Sequence, residues 1–300
     1  MEKDIKGSSE TTREITIQGR HREKINFYNW WIGFLEGDGS FFIRSNNTLG
    51  FEISQKTTDA QVLYYIKTNL GFGQVNHNSK VGLSRFIISS KKESYLNLIN
   101  LLKIDNLRLI KRQEQYKLWI QKAESITNMS LLSTDVAPTG QEMGRGSQLG
   151  KQGVIDPSQP SWEDSWLSGF IDAEGCFRIG YDKEVGKYRL IFQITQDEIE
   201  ILEKIKLLLG KNHRGNIIKD RGTYLFMMSG KNAREQLINY LNVFPLKTQK
   251  RIAFMKWKKC HKLLLRMEEE TGEQKEKTRE EIKRLKEKIN FSGSKVDKDS

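Results

Sequence analysis

The chain has 300 residues, with 50 Lys or Arg against 38 Asp or Glu, a net charge of +12 and a pI near 9.5. That length admits one large or two medium domains, and that charge points to a polyanionic partner. Two cysteines and four scattered histidines exclude a disulfide framework and a zinc cage, and no apolar run of 18 residues is present to span a membrane.

The charge is unevenly placed. Residues 28–267 hold 35 of the basic and 23 of the acidic residues, so the whole surplus lies there. Residues 1–27 are polar, show no apolar period and are expected to form a loose, flexible arm. A first repeat is expected over 28–126. Its opening helix starts near Tyr28, and strands follow at 40–46 and 49–55, joined at the hairpin-like Asn46-Asn47. A helix over 59–70 stops at Gly71, strands follow at 73–78 and 84–90, and helices at 92–103 and 108–124.

Residues 127–161 gather Ser, Thr, Gly, Gln and three of the four prolines and read as a linker. The second repeat, 162–267, runs in the same order: strands near 176–182 and 187–196, a helix over 198–209, strands near 215–219 and 223–229, helices over 231–242 and 248–266. The charged tail 268–300 has a helical stripe (Ile282, Leu285, Ile289) and is expected to be a solvated appendage helix. All four histidines are expected on the surface or in loops, Cys176 on a strand and Cys260 on a helix, in a reducing compartment. No signal peptide, membrane span or transit peptide is expected.

The repeat is explicit. WWIGFLEGDGSFFI at 30–43 aligns without a gap on WLSGFIDAEGCFRI at 166–179, at an offset of 136. Such a period means a duplicated domain rather than a solenoid. FEISQ at 51–55 repeats as FQITQ at 192–196, and YIKTNLG at 65–71 as KIKLLLG at 204–210. The fold expected is α+β: two αββαββα halves, each with a four-stranded antiparallel sheet. In each motif a helix runs into a strand, with Gly39 and Gly175 placed as left-handed C-terminal caps. Gly33 and Gly37, and Gly169 and Ala173, are spaced four apart and give each helix a flat face for close approach. Packing those faces together brings Asp38 and Glu174 to one end, where the helix dipoles disfavour negative charge. Two carboxylates so placed call for a compensating cation, and hard oxygen ligands suit Mg²⁺.

WIGFLEGDG and LSGFIDAEG resemble the two signature motifs of a single-chain LAGLIDADG homing endonuclease. The resemblance covers roughly residues 28–268. It implies two sheets forming a saddle on a long duplex, halves packed through the motif helices, and a monomer. It implies that Asp38 and Glu174 hold Mg²⁺ (or Mn²⁺ or Ca²⁺) with the carbonyls of Gly37 and Ala173. Gln55 and Gln196 stand at the polar strand-end position that orders water. Lys250 in FPLKTQK, with Lys247 as alternate, is the basic residue near the site. Its first-half counterpart is Arg112, set by matching Trp119 to Trp257; there the family's proline is missing. Outward strand residues would read base edges. They are Ser40, Phe42, Arg44, Asn46, Glu52, Ser54, Gln74, Asn76 and Arg85 in one half, and Arg178, Lys187, Arg189, Gln193, Thr195 and Asn216 in the other.

The implied function is a Mg²⁺-dependent endonuclease that cuts both strands of a long, asymmetric DNA target, leaves staggered 3′ overhangs and promotes intron mobility. The alternatives are an RNA-binding splicing maturase for the host intron and a catalytically silent DNA-binding regulator. The Lys- and Asn-rich composition suits an AT-rich organelle genome, a mitochondrion ahead of a chloroplast.

Overall fold

The computed structural model describes residues 8–89, 91–128, 131, 159–210 and 215–290. Helix α1 (Ser8–Asp38) passes directly into β1 (Gly39–Ile43), and β2 (Leu49–Lys56) returns beside it. Then come α2 (Ala60–Leu70), β3 (Gln74–Asn78), β4 (Leu83–Ile88), α3 (Lys92–Leu101) and α4 (Ile110–Thr127). The second half repeats this as α5 (Trp166–Glu174), β5 (Gly175–Asp182), β6 (Lys187–Gln196), α6 (Ile199–Leu208), β7 (Asn216–Asp220), β8 (Thr223–Met228), α7 (Lys231–Val243) and α8 (Lys250–Glu269), followed by α9 (Gly272–Asn290). The sheets are antiparallel, with orders β1-β2-β4-β3 and β5-β6-β8-β7. The α+β fold of two matched halves is therefore the one the repeat predicts.

Period-2 alternation decides which sheet face is covered. Phe41, Phe51, Ile53, Phe86 and Ile88 are buried beneath helices in the first half, and Phe177, Phe192, Ile194, Phe226 and Met228 in the second. The two halves meet along α1 and α5. A Cβ added to Gly33 would fall 2.0 Å from the Trp166 carbonyl oxygen, and one on Gly169 would fall 1.8 Å from that of Trp30. The helices touch backbone to backbone, so only glycine fits there. Trp30 stacks on Phe34 at 5.1 Å and Trp166 on Phe170 at 4.9 Å, which walls the contact with large apolar area on both sides.

Four expectations are corrected. Gly39 and Gly175 are not left-handed caps: Gly175 is extended (φ −73°, ψ 148°), and neither has positive φ. They are glycines because a Cβ would strike the preceding turn, 2.5 Å from the Leu35 oxygen or 2.6 Å from Ile171 Cγ2. The arm is helical from Ser8 onward, with 1–7 outside the described residues. Once packing anchors α1 at Phe27–Leu35, each added residue gains a hydrogen bond without a new nucleus, and 8–27 contains no proline to stop it. Helix α9 is not a free appendage: it folds back on α8 and β5, burying Ile282 and Ile289. Its stripe showed an apolar face but not what covers it. His261 is buried on α8, where burial lowers its pKa; His21 and His77 are exposed as expected, and His213 lies outside the described residues. Most of the 127–161 linker also lies outside them; α4 runs on to Thr127. Among the described residues no helix is long and apolar enough to cross a membrane.

Candidate active site

The site forms where α1 and α5 end side by side. Asp38 and Glu174 are the last residues of these helices, and both are half-buried. Burial raises the Asp38 pKa to about 7; Lys250 opposes the shift and Glu174 adds to it. Burial also raises Glu174, against the pull of Lys250 and Arg112. The two acids thus share one low-dielectric space with two cations.

Those cations are held in matched ways. Lys250 Nζ donates to the Ala173 carbonyl at 2.5 Å, and Arg112 Nη2 donates to the Gly37 carbonyl at 3.2 Å. Arg112 also donates from Nε to Glu36 O at 3.1 Å. The missing proline therefore does not disturb the register that pairs Arg112 with Lys250. Burial lowers the pKa of both cations. Lys247 stands further back, its ammonium 5.3 Å above the Tyr65 ring.

The glutamines differ. Gln55 Nε2 donates to Asp38 Oδ2 at 2.6 Å, whereas Gln196 accepts the Asp197 N–H at 2.8 Å. Gln196 still lines, with Glu174, Gly37 and Arg112, a cavity of about 370 Å³. No three His, Cys, Asp or Glu side chains cluster as a metal cage among the described residues. What the site does offer is two carboxylates and two backbone carbonyls, a hard-oxygen set that suits Mg²⁺ if water and phosphate complete the shell.

Sequence reasoning missed the acids two residues earlier. Glu36 Oε1 accepts the Arg108 and Leu109 N–H groups at 2.5 and 2.7 Å, and its Oε2 accepts Trp166 Nε1 at 2.5 Å. Asp172 accepts Trp30 Nε1 at 2.8 Å, the Lys247 and Thr248 N–H groups at 2.7 and 3.0 Å, and Thr248 Oγ1 at 2.6 Å. Each acid binds the tryptophan of the opposite half. Each also fixes the segment that leads into the helix bearing its own half's cation, α4 for Arg112 and α8 for Lys250. A second exchange reinforces this. Glu198 caps α4 through the Ile110 and Lys111 N–H groups at 2.8 and 3.0 Å, and Asp59 accepts the Gln249 N–H at 2.7 Å. The aligned pair Glu36 and Asp172 was the available signal.

The strand residues expected to face outward do share one face per sheet. Ser40, Glu52 and Gln74 form one row through Ile87, and Ser54, Arg85 and Asn76 the next. Phe42 lies over Gly50, with Arg44 5.0 Å above its ring; Asn46 sits in the turn, accepting from Thr48. In the second sheet Gln193 and Asn216 share a row with Cys176 and Met227, while Thr195 lies beside Leu225 and Ile218. Arg178, Arg189 and Lys187 follow outward along β5–β6. The open faces are more apolar than expected: Ile87, Ile191, Leu225 and Met227 are half-buried among the polar groups.

The model of the family described as "LAGLIDADG endonuclease" matches residues 31–123 and 167–261, well over half the chain. A probable intron-encoded endonuclease 4 of Neurospora crassa is 32% identical over 87% of this chain and 44% of its own length. The chain thus spans under half of that relative. The intron-encoded RNA maturase bI4 of Saccharomyces cerevisiae is 25% identical over 75% of this chain and 31% of its own length. Among solved structures, the LAGLIDADG meganuclease I-AabMI bound to uncleaved DNA superposes with a TM-score of 0.68 at 22% identity, over 88% of this chain and 99% of that one.

Proposed function

This chain belongs to the LAGLIDADG endonuclease family, and on that premise we propose that it is a site-specific, Mg²⁺-dependent DNA endonuclease acting as a monomer. It cuts both strands of a long asymmetric duplex, leaves staggered 3′ overhangs, and promotes the mobility of an intron in a fungal-type mitochondrial genome. The observation that carries the reading is the pairing of Asp38 with Glu174 at abutting helix ends, each beside a cation bound to the preceding carbonyl.

Hydrolysis of a phosphodiester needs an activated water, charge stabilisation at phosphorus and relief of charge on the leaving oxygen. Divalent cations supply these when carboxylates hold them against the phosphates. Asp38 and Glu174, with Gly37 O and Ala173 O, would hold them here. Arg112 and Lys250 can leave the carbonyls for the crowded equatorial oxygens, placing fixed positive charge where negative charge grows. Gln55, bonded to Asp38, holds that carboxylate in place. Burial keeps the site poor in competing solvent.

The open sheet faces take the duplex. Arg, Asn and Gln suit base edges, and the half-buried Ile87, Ile191 and Met227 suit thymine methyl groups. The two faces differ residue by residue, so the target is asymmetric. The test is selection of cleaved duplexes from a randomised library with Mg²⁺, beside Asp38→Asn and Glu174→Gln. One recovered site, with each variant reduced to nicking or nothing, supports the reading. Tight duplex binding without cutting by the parent would instead indicate a regulator. Likeness to an RNA maturase keeps a second reading in play: selection of intron RNA and no duplex would favour it.

A further inference from the structure

The two halves differ at one hairpin. Strands β1 and β2 pair over five residues, ending at Ile43 with Leu49. Strands β5 and β6 pair over eight, running on past Ile179 with Leu190 to Asp182 with Lys187. Strand β8 joins β6 only from Phe192 inward. From Arg178 and Ile191 outward the second hairpin is therefore a bare two-stranded ribbon, which is marginal on its own.

Its helix-side face is covered. Ile43 and Ile179 are equivalent in the repeat, yet Ile43 is 43% exposed and Ile179 1%. The difference coincides with α9, which packs on β5 and has no first-half counterpart among the described residues. Ile282 and Ile289 of α9 are buried, and Lys286 Nζ lies 5.8 Å over the Tyr181 ring, itself 4.8 Å from Tyr188. Helix α9 is tied to α8 by Lys259 with Glu281 at 2.7 Å and by Lys256 Nζ donating to Lys288 O at 3.1 Å. The ribbon's opposite face carries Arg178, Arg189 and Lys187, with Arg189 held by Asp182 at 2.6 Å.

We propose that α9 is a brace for the β5–β6 ribbon, holding Arg178, Lys187 and Arg189 in place to read the outer base pairs of the second half-site. This rests on the endonuclease reading. It makes readout reach further from the centre on the α9 side, since the first-half hairpin is shorter and, among the described residues, no helix equivalent to α9 covers it. A ribbon that swayed would let its cations bind phosphate without fixing base contacts.

Two measurements on the full chain separate the brace from the endonuclease reading. The first is amide hydrogen exchange without DNA, on the parent, Ile282→Asp and the milder Lys286→Ala. Faster exchange over 178–182 and 187–191, with 39–53 unchanged, is expected, in smaller measure for Lys286→Ala. The second is cutting of a library of single-pair variants of the selected target. In Ile282→Asp, discrimination at the outer pairs of the second half-site should fall by about tenfold per position, the usual worth of a base contact. It should hold on the other side, with the matched target still cut, and Arg189→Ala should reproduce the one-sided loss.

Unchanged ribbon exchange in both variants overturns the brace. Faster exchange with unchanged discrimination, or discrimination lost equally on both sides, overturns its role in readout. Should Ile282→Asp fail to fold, Lys286→Ala decides alone. A parent that binds no duplex sinks the endonuclease reading and the readout role with it, while exchange still decides the brace.

Discussion

The Trp30 indole donates to Asp172 Oδ2 at 2.8 Å across the boundary between the two halves. Trp166 returns the bond to Glu36 at 2.5 Å. The pair of bonds locks the halves in one register and, through the capped segments, sets where Arg112 and Lys250 stand.

Removing the acid should cost far more than removing the indole nitrogen. Asp172→Ala leaves four donors (Trp30 Nε1, the Lys247 and Thr248 N–H groups and Thr248 Oγ1) without their acceptor. A loss of about 3–5 kcal/mol is expected, against about 1.5–3 for Trp30→Phe, by urea unfolding. Equal effects for the two would refute the account.

Glycines of two kinds should respond oppositely in size. Gly33→Ala or Gly169→Ala puts a methyl within about 2 Å of a backbone oxygen and should separate the halves or prevent folding. Gly82 (φ +63°) has open space around it, so its alanine variant meets only backbone strain, about 1–2 kcal/mol. Gly19 is helical with nothing within 4 Å, and Gly19→Ala should stabilise by about 0.5–1 kcal/mol. Thermal unfolding ranks all four.

The acids should act strand by strand. Asp38→Asn and Glu174→Gln keep shape and hydrogen bonding but weaken cation binding. Each should lower the double-strand cutting rate by at least about 100-fold, as loss of a main electrostatic group does. Duplex affinity measured in Ca²⁺ should change little. Loss of affinity in step with rate would mean that the acids bind DNA and do not direct hydrolysis.

Mg²⁺ binding should weaken as pH falls through about 7, because a protonated Asp38 is a poor ligand. One proton predicts about a tenfold loss of affinity per unit below that point. Lys250→Met removes the largest influence that lowers this pKa and should move the limb to higher pH. The stability consequence has the opposite sense. The folded-state pKa lies above the ordinary aspartate value of 3.8, so folding favours the protonated carboxyl. In chelator this contribution is full below about 4 and is lost as pH rises to about 7. Asp38→Asn should flatten that slope in pH-dependent urea unfolding.

Much of this architecture is local and so legible in the chain. The aligned motifs determined two halves, two motif helices and one acid at each helix end. Alternation in FEISQ and FQITQ determined which strand residues lie under helices and which lie open. The Trp119 and Trp257 match placed Arg112 opposite Lys250. These are periodicities, and a period reports which side of an element is apolar. It does not report what covers that side. The stripe of α9 was visible, yet only the tertiary structure lays it on β5 and leaves Ile43 bare where Ile179 is buried. Glu36 and Trp166 stand 130 residues apart, and no local pattern relates a carboxylate to a partner at that separation. Gly39 and Gly175 were readable as glycines that something requires. The requirement is the volume of Leu35 and Ile171 one turn back, and that exists only once helix and strand have closed on each other.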